Sequence, residues 1–240
     1  MKLLDLTLDS AAENLALDEA LLEAAEASDE PAEVLRLWES PQVAAVAGRS
    51  SRVRDEIDVD ECRRHGISVL RRCSGGASVL IGPGCFMYSL VLSYVARPQL
   101  RAVEESHRLV LGRLVEVLDP FFPGELRRRG ISDLARGDRK CSGNSLRCRK
   151  THCLYHGTLL YDFPLEWIAS CLREPPREPD YRAGRSHVEF VGNLPVRASD
   201  LHRCITDAWS PRTRLEDWPR EAVHRLARER YESEEWNFRR

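Results

Sequence analysis

The residues best suited to chemistry lie at positions 71–84, RRCSGGASVLIGPG, where two arginines and a run of small residues separate two apolar segments. Gly75 and Gly76 can take positive φ and let a ligand lie against bare N–H groups, while Arg71 and Arg72 can offer forked donors to a phosphate or carboxylate. Such a stretch is suited to holding an anion. The same glycines also fit an ordinary hairpin turn with surface arginines, and on its own the stretch leaves both readings open.

A second concentration of charge follows at 125–150. Arg127, Arg128, Arg129, Arg136, Arg139, Lys140, Arg147, Arg149 and Lys150 stand against Glu125, Asp133 and Asp138, a local charge of +6. This is either a solvated hairpin face or a wall turned toward nucleotide phosphates or an acidic partner. The eight cysteines, at 62, 73, 85, 141, 148, 153, 171 and 204, show no repeated CxxC spacing and read as reduced thiols of a cytosolic chain. Cys141, Cys148 and Cys153 with His152 and His156 are the one local group that suggests zinc. Their spacing fits no common knuckle, so no metal is expected.

The elements that must position these residues are legible from periodicity. Positions 1–8 read as a strand, and Ser10 with Glu13 forms a capping box for a helix that ends near 28–31. Strands are expected at 34–39 and 43–48, a helix at 54–65 closed by Gly66, and strands at 67–70, 79–81 and 85–94. An amphipathic helix spans 99–119. Strands at 131–135 and 139–147 flank a Gly137-Asp138 turn, and a further strand at 153–162 carries His156-Gly157-Thr158. Helices follow at 165–172, 199–209 and 220–231. The proline- and arginine-rich segment 174–190 reads as an ordered surface loop with Arg182, Arg185 and His187 as candidate contacts.

Composition sets the outer bounds. The 240 residues carry 36 basic and 38 acidic side chains, a net charge of −2, which argues against a general nucleic-acid binder. There is no apolar run of membrane-spanning length and no signal-peptide pattern, so a soluble, cytoplasmic protein with no membrane partner is expected. No repeat or domain boundary interrupts the chain, which reads as one domain over 1–240.

Taken in order, the segments NLALDEALL, LRLWESPQVAAVAGR, RRCSGGASV, SDLARGDRKCSGNS, HGTLLYD and YESEEWNFRR resemble the lipoate-protein ligase A family, within the biotin/lipoyl ligase and octanoyltransferase superfamily. The resemblance runs from about residue 4 to the C-terminus. It implies an α+β fold, a mixed and mostly antiparallel sheet flanked by helices, like the biotin/lipoyl ligase catalytic domain. The acyl chain would lie in a tunnel and the adenylate under the glycine loop. Carried over by motif, Arg71, Ser74, Gly75, Gly76 and Ala77 match the loop that binds nucleotide and acyl phosphate. Lys140 matches the essential lysine, and Asp133 the acid just upstream of its hairpin. His156, Gly157 and Thr158 match the strand lining the pocket, which Gly48, Arg49, Arg72 and Gly143 are expected to line as well.

The implied activity is ATP- and Mg²⁺-dependent conversion of lipoate or octanoate to acyl-AMP, followed by transfer to a lysine of a lipoyl-domain protein of the dehydrogenase E2 or glycine-cleavage H type. The basic 125–150 region is the expected docking face. Three departures stand out. Ala77 occupies the place of the loop's third glycine, so a positive φ there would be strained. Ile81-Gly82 replaces the His-Asp that often follows, and the resemblance leads to the expectation of no C-terminal accessory domain, with a reshaped lid or a separate polypeptide in its place. The alternatives are an acyltransferase working through a cysteine thioester without ATP, or a non-catalytic lipoyl- or adenylate-binding subunit. Members of the transferase group carry the nucleophile in the loop upstream of the lysine hairpin, where 124–130 has no cysteine. Cys141, Cys148 or Cys153 would then be a relocated nucleophile. Retention of Arg71 and Lys140 argues against a dead site.

Overall fold

The structure, a computed structural model, describes residues 1–175 and 177–239. Pro176, in the expected surface loop, and Arg240, the last residue of the YESEEWNFRR segment, lie outside the described residues.

The strands are β1 (Lys2–Asp5), β2 (Val34–Glu39), β3 (Ala44–Ala47), β4 (Ser68–Arg71), β5 (Val79–Ile81), β6 (Cys85–Ser93), β7 (Leu126–Arg129), β8 (Asp133–Arg136), β9 (Arg139–Cys148), β10 (His152–Leu160) and β11 (Thr213–Arg214). The helices are α1 (Ala11–Ala27), α2 (Val53–Glu56), α3 (Val59–Arg64), α4 (Val103–Leu118), α5 (Leu165–Cys171), α6 (His187–Phe190), α7 (Ala198–Trp209), α8 (Arg220–Leu226) and α9 (Glu234–Asn237). Eight strands form one sheet in the order β11-β1-β2-β6-β10-β9-β8-β7, and three form a second in the order β4-β3-β5. In the large sheet only the β11-β1 and β1-β2 pairings are parallel; every other pairing is antiparallel. The fold is the mixed, mostly antiparallel α+β arrangement expected from the sequence.

Alternation along the central strand explains the layering. Phe86, Tyr88, Leu90 and Leu92 of β6 point into a core shared with α4 and α7, while Cys85, Met87 and Val91 point into a core shared with α1 and the small sheet. Both faces of β6 are thereby covered, which is why its nine residues are all buried. Helix α1 is buried almost all round, and its polar residues survive there because they are paired. Arg36 reaches Asp18 at 2.6 Å, and the Ser89 hydroxyl donates to the same carboxylate at 2.6 Å. The capping box is present: the Glu13 N–H donates to Ser10 Oγ, and the Ser10 N–H to the Glu13 carboxylate, both at 3.1 Å.

Several elements differ from the periodicity reading for local reasons. The helix expected at 54–65 is divided because Ile57 bridges to Leu172, after which Asp58 caps α3 through the Glu61 N–H. The helix expected from 99 begins as a 3₁₀ turn, Pro98–Arg101, before α4. The helix expected at 220–231 ends its α-helical part at Leu226 and continues as a wider turn. Strand β8 starts at Asp133 rather than 131, because Gly130 turns the chain at φ +53° and adds β7 as a further strand. The short elements β11 and α9 carry no periodic signal and were not anticipated.

The β9-β10 turn is fixed from outside. Its N–H groups at Lys150, Thr151 and His152 all donate to the Glu26 carboxylate at the end of α1, as does the Thr151 hydroxyl. Burial pushes the Glu26 carboxyl up, but these hydrogen bonds outweigh it and bring it from 4.5 to about 2. A carboxyl lowered in the folded state stabilises it above its unfolded pKa and loses that effect as the pH falls through the folded value. Thermal melting of wild type and Glu26→Gln should therefore differ most above about pH 4.5 and converge as the pH falls toward about 2. A pH-independent difference would contradict the assignment.

Candidate active site

The loop between β4 and β5 is built from its carbonyls. The Ser74 carbonyl accepts from the Arg49 N–H at 2.8 Å. The Gly75 carbonyl accepts from the Arg72 guanidinium and from Ser145 Oγ at 2.9 Å. The Gly76 carbonyl accepts from Ser51 Oγ at 3.2 Å, and the Ala77 carbonyl from Arg72 at 2.9 Å. Four consecutive carbonyls are thus bound by protein donors. In a trans peptide the N–H points opposite to its carbonyl, so the amides of Gly75, Gly76 and Ala77 face the other way. Among the described residues nothing accepts from these three N–H groups, whereas the next, Ser78, donates to Glu56 at 2.6 Å. The result is a row of three unpaired donors, a form of anion cradle.

The side-chain donors of both arginines go to the loop and to the residues around it. Arg71 is fully buried, and its guanidinium donates to the carbonyls of Gly48, Ser51, Trp236, Asn237 and Arg239. Its own N–H and C=O bond to Asn237 Oδ1 and Trp236 Nε1. Arg72 borders the cavity, but its donors go to Val46, Ser74, Gly75 and Ala77, and burial lowers its pKa to about 10. The expectation that this pair would present forked donors to a phosphate is corrected accordingly. Positive φ falls on Gly76, at +86°, and not on Gly75 or Ala77, so alanine at 77 carries no left-handed strain.

The loop forms one wall of a cavity of about 740 Å³, within the size range of small-molecule sites. Lys140 of β9 stands on the wall too, its Nζ 2.7 Å from Asp133 Oδ1, and Tyr181 donates to Asp133 Oδ2 at 2.9 Å. Burial, reinforced by Asp133, raises the Tyr181 phenol well above its usual range and keeps it protonated. Gly143 leaves room for the lysine, since a Cβ there would come within 3.3 Å of its Cε and Nζ. Gly157 has a similar role: a Cβ would fall 1.8 Å from Asn144 Oδ1, the atom that accepts from the buried Tyr88 hydroxyl. A smaller pocket of about 140 Å³, lined by Leu160, Ile168 and Phe190, adjoins the first and shares Lys140, Gly143 and Thr158 with it.

His156 joins the cavity to the buried charges. Its Nε2 lies 2.6 Å from Ser74 Oγ, and its Nδ1 lies 3.5 Å from Asp18 Oδ2. Burial pushes the Asp18 carboxyl up, but Arg36, His156 and Ser89 outweigh it and hold it below the usual carboxylate range. One polar chain therefore runs from β2 through α1 and β10 to the glycine loop.

Of the residues singled out in the sequence, Arg72, Gly76, Ala77, Asp133, Lys140, Gly143, His156, Gly157 and Thr158 line the cavity together. Arg71, Ser74, Gly48 and Arg49 do not. Gly48, Arg49 and Arg71 support the loop from outside it, while Ser74 and Gly75 are loop residues off the cavity lining. Arg182 is buried and paired with Glu174, Arg185 bonds to the carbonyls of Asp138 and Tyr181, and His187 meets the Arg173 carbonyl at 3.2 Å. Sequence reasoning missed Asn144, Ser145, Tyr181 and the apolar part of the lining, Leu15, Val46, Ile81 and Met87. Asn144 and Ser145 belong to the CSGNS motif and could have been marked; the apolar residues look like ordinary core. No cysteine lines either cavity. Cys141 is 1% exposed, with its thiol on the Leu134 carbonyl, and burial pushes it up to about 12.

Comparison with known proteins gives a family. The sequence pattern described as "Lipoyl protein ligase A/B catalytic domain" matches residues 10–199. Octanoyltransferase LipM of Geobacillus kaustophilus is 27% identical over 264 residues, covering 95% of this chain and 94% of that protein. A relative in Aeropyrum pernix is 33% identical over 147 residues, 61% of this chain and 52% of that protein, so the match spans about half of that relative. Among solved structures, a bi-partite lipoate protein ligase from Thermoplasma acidophilum, described with its E2 lipoyl domain, superposes with a TM-score of 0.80. It is 22% identical and is covered to 95%, with 99% of this chain. Lipoate-protein ligase A bound with ATP superposes with a TM-score of 0.79 at 22% identity, over 99% of this chain and 98% of that one.

Gly48 offers a test of the loop from a residue that does not itself line the cavity. A Cβ at Gly48 would sit 1.8 Å from the Gly76 carbonyl oxygen, so Gly48→Ala must displace the loop. Titration calorimetry should show nucleotide affinity reduced at least about tenfold, about 1.4 kcal/mol, with the far-UV circular dichroism retained. Gly112→Ala, where the added Cβ meets nothing, serves as the control. Unchanged affinity in Gly48→Ala would contradict the loop assignment.

Proposed function

The chain belongs to the lipoyl protein ligase A/B catalytic-domain family, and from that membership we propose that it is a lipoate-protein ligase. In this reading it activates lipoate or octanoate with ATP and transfers the acyl group to a lysine of a lipoyl-domain protein. The observation that carries the proposal is the row of unpaired N–H groups at Gly75, Gly76 and Ala77, of which Gly76 and Ala77 border the same cavity as Lys140, with no cysteine on its walls.

The chemistry follows from the charges. In the first step a carboxylate oxygen attacks the α-phosphorus, the bond to pyrophosphate breaks, and acyl-AMP forms. Negative charge accumulates on the phosphoryl oxygens, where fixed donors act most strongly. The loop amides are such donors and need no reorganisation, since their carbonyls are already bound. Lys140, held near Asp133 before substrate arrives, supplies a mobile point charge that can leave Asp133 for phosphate and carbonyl oxygens. In the second step the neutral amine of the acceptor lysine attacks the acyl carbonyl, AMP departs and the amine loses its proton. Lys140 polarises the carbonyl in that step. Leu15, Val46, Ile81 and Met87 provide the apolar wall for the acyl chain, at about 0.8 kcal/mol for each methylene buried.

Among the described residues no group of three His, Cys, Asp or Glu is arranged to hold a metal, so Mg²⁺ enters this account as part of the MgATP substrate. Dependence on ATP suits a cytoplasmic protein, and no described helix is long and apolar enough to cross a membrane. The acceptor would be an E2 or H-type lipoyl domain. Its docking face is narrower than the charge count suggested, because Arg128 pairs with Glu104 and Arg136 with Glu125. The bi-partite ligase that shares this fold supports a separate accessory polypeptide as a further partner. Similarity to an octanoyltransferase favours a second reading, acyl transfer from a carrier protein through a cysteine.

With ATP, Mg²⁺, lipoate and a lipoyl-domain acceptor, mass spectrometry should show the acceptor acylated. Lys140→Ala should lower the rate at least about 10³-fold, Lys140→Arg should not restore it, and Cys141→Ala should stay near wild type. Transfer from octanoyl-carrier protein without ATP, abolished by a single cysteine substitution, would establish the second reading instead.

A further inference from the structure

The β9-β10 hairpin opposes two cysteines. Cys148 pairs with Cys153 in the antiparallel register. One step nearer the turn, the Arg149 N–H donates to the His152 carbonyl at 2.9 Å, marking that pair as hydrogen-bonded. Pairs alternate along an antiparallel ladder, so 148/153 is a non-hydrogen-bonded pair, with side chains on one face and Cα atoms about 4.5 Å apart. That separation lies at the short end of the range a disulfide spans, about 4.4 to 6.8 Å. Cys148 is exposed and Cys153 fully buried. The Glu26 carboxylate binds three successive N–H groups of the intervening turn, so the hairpin end is held in register.

We propose that Cys148 and Cys153 form a reversible oxidation site, an exposed attacking thiol with a buried resolving partner. With hydrogen peroxide, the Cys148 sulfur takes up one oxygen as a sulfenic acid and the peroxide is reduced to water. The Cys153 sulfur then attacks Cys148; the S–S bond forms, the S–O bond breaks, and the hydroxyl leaves as water with the Cys153 proton. In sum, two thiols and one peroxide give one disulfide and two waters. A dithiol reductant reverses it. The site is independent of the acyl-transfer reading, and its consequence is protective: the exposed sulfur is captured as a disulfide before it passes to sulfinic acid.

The test is peroxide treatment of the folded protein, alkylation, and a non-reducing tryptic map. In wild type the Cys148-Arg149 dipeptide should appear linked to the 151–173 peptide, and dithiothreitol should release it. Since 151–173 also contains Cys171, the link should persist in Cys171→Ser and vanish in Cys153→Ser, where Cys148 proceeds to sulfinic acid. Cys148→Ser, an exposed change that leaves the core intact, should show no disulfide to this peptide. Irreversible oxidation of Cys148 in wild type at the rate seen in Cys153→Ser, or a link to Cys171, would overturn the proposal.

Discussion

The site depends on buried guanidinium groups that hold backbone carbonyls. An arginine removed from water is tolerated only when its donors are satisfied, and Arg71 and Arg72 reach that state by binding carbonyls around the glycine loop. A lysine would not serve, because a single ammonium cannot reach so many carbonyls in one plane. Arg72 and the Ser51 and Ser145 hydroxyls bind the loop carbonyls, and the amide of each of those peptides points away from its carbonyl. The two cations thus fix the peptide groups of the loop, Arg71 from a fully buried position and Arg72 from the cavity border.

Arg71 extends the same dependence to the end of the chain. By binding the carbonyls of Trp236, Asn237 and Arg239 on one side and Gly48 and Ser51 on the other, it joins the C-terminal segment to the residues behind the loop. The Arg36, Asp18, His156 and Ser74 chain supplies a second attachment from the large sheet and α1. The loop is therefore fixed from both layers of the fold. Lys140, on a strand of the large sheet, is partly exposed and paired with Asp133.

The fold class and most elements were legible because the apolar periods are clean: β6 alternates between two cores, and α1 begins at a full capping box. Element ends were less so. Ile57 divides a helical pattern by pairing with Leu172, a contact more than a hundred residues away that no local period contains. At the site, the spacing of the glycine and lysine motifs correctly brought Gly76, Ala77, Lys140 and His156 to one cavity. What the sequence misrepresented was the direction of the arginines. A cation beside glycines reads as an anion ligand, and only the three-dimensional position of the loop carbonyls shows what Arg71 binds. Ala77 was a concern for the same reason, since the left-handed residue could not be assigned to Gly76 before the backbone was known.

The most direct measurement of the account is a quenched single turnover without acceptor, in which protein, MgATP and lipoate are mixed and the products are separated under denaturing conditions. The account predicts acyl-AMP released from the chain in up to equimolar amount, with every cysteine unmodified. An acyl group retained on the denatured chain as a hydroxylamine-sensitive thioester would contradict it.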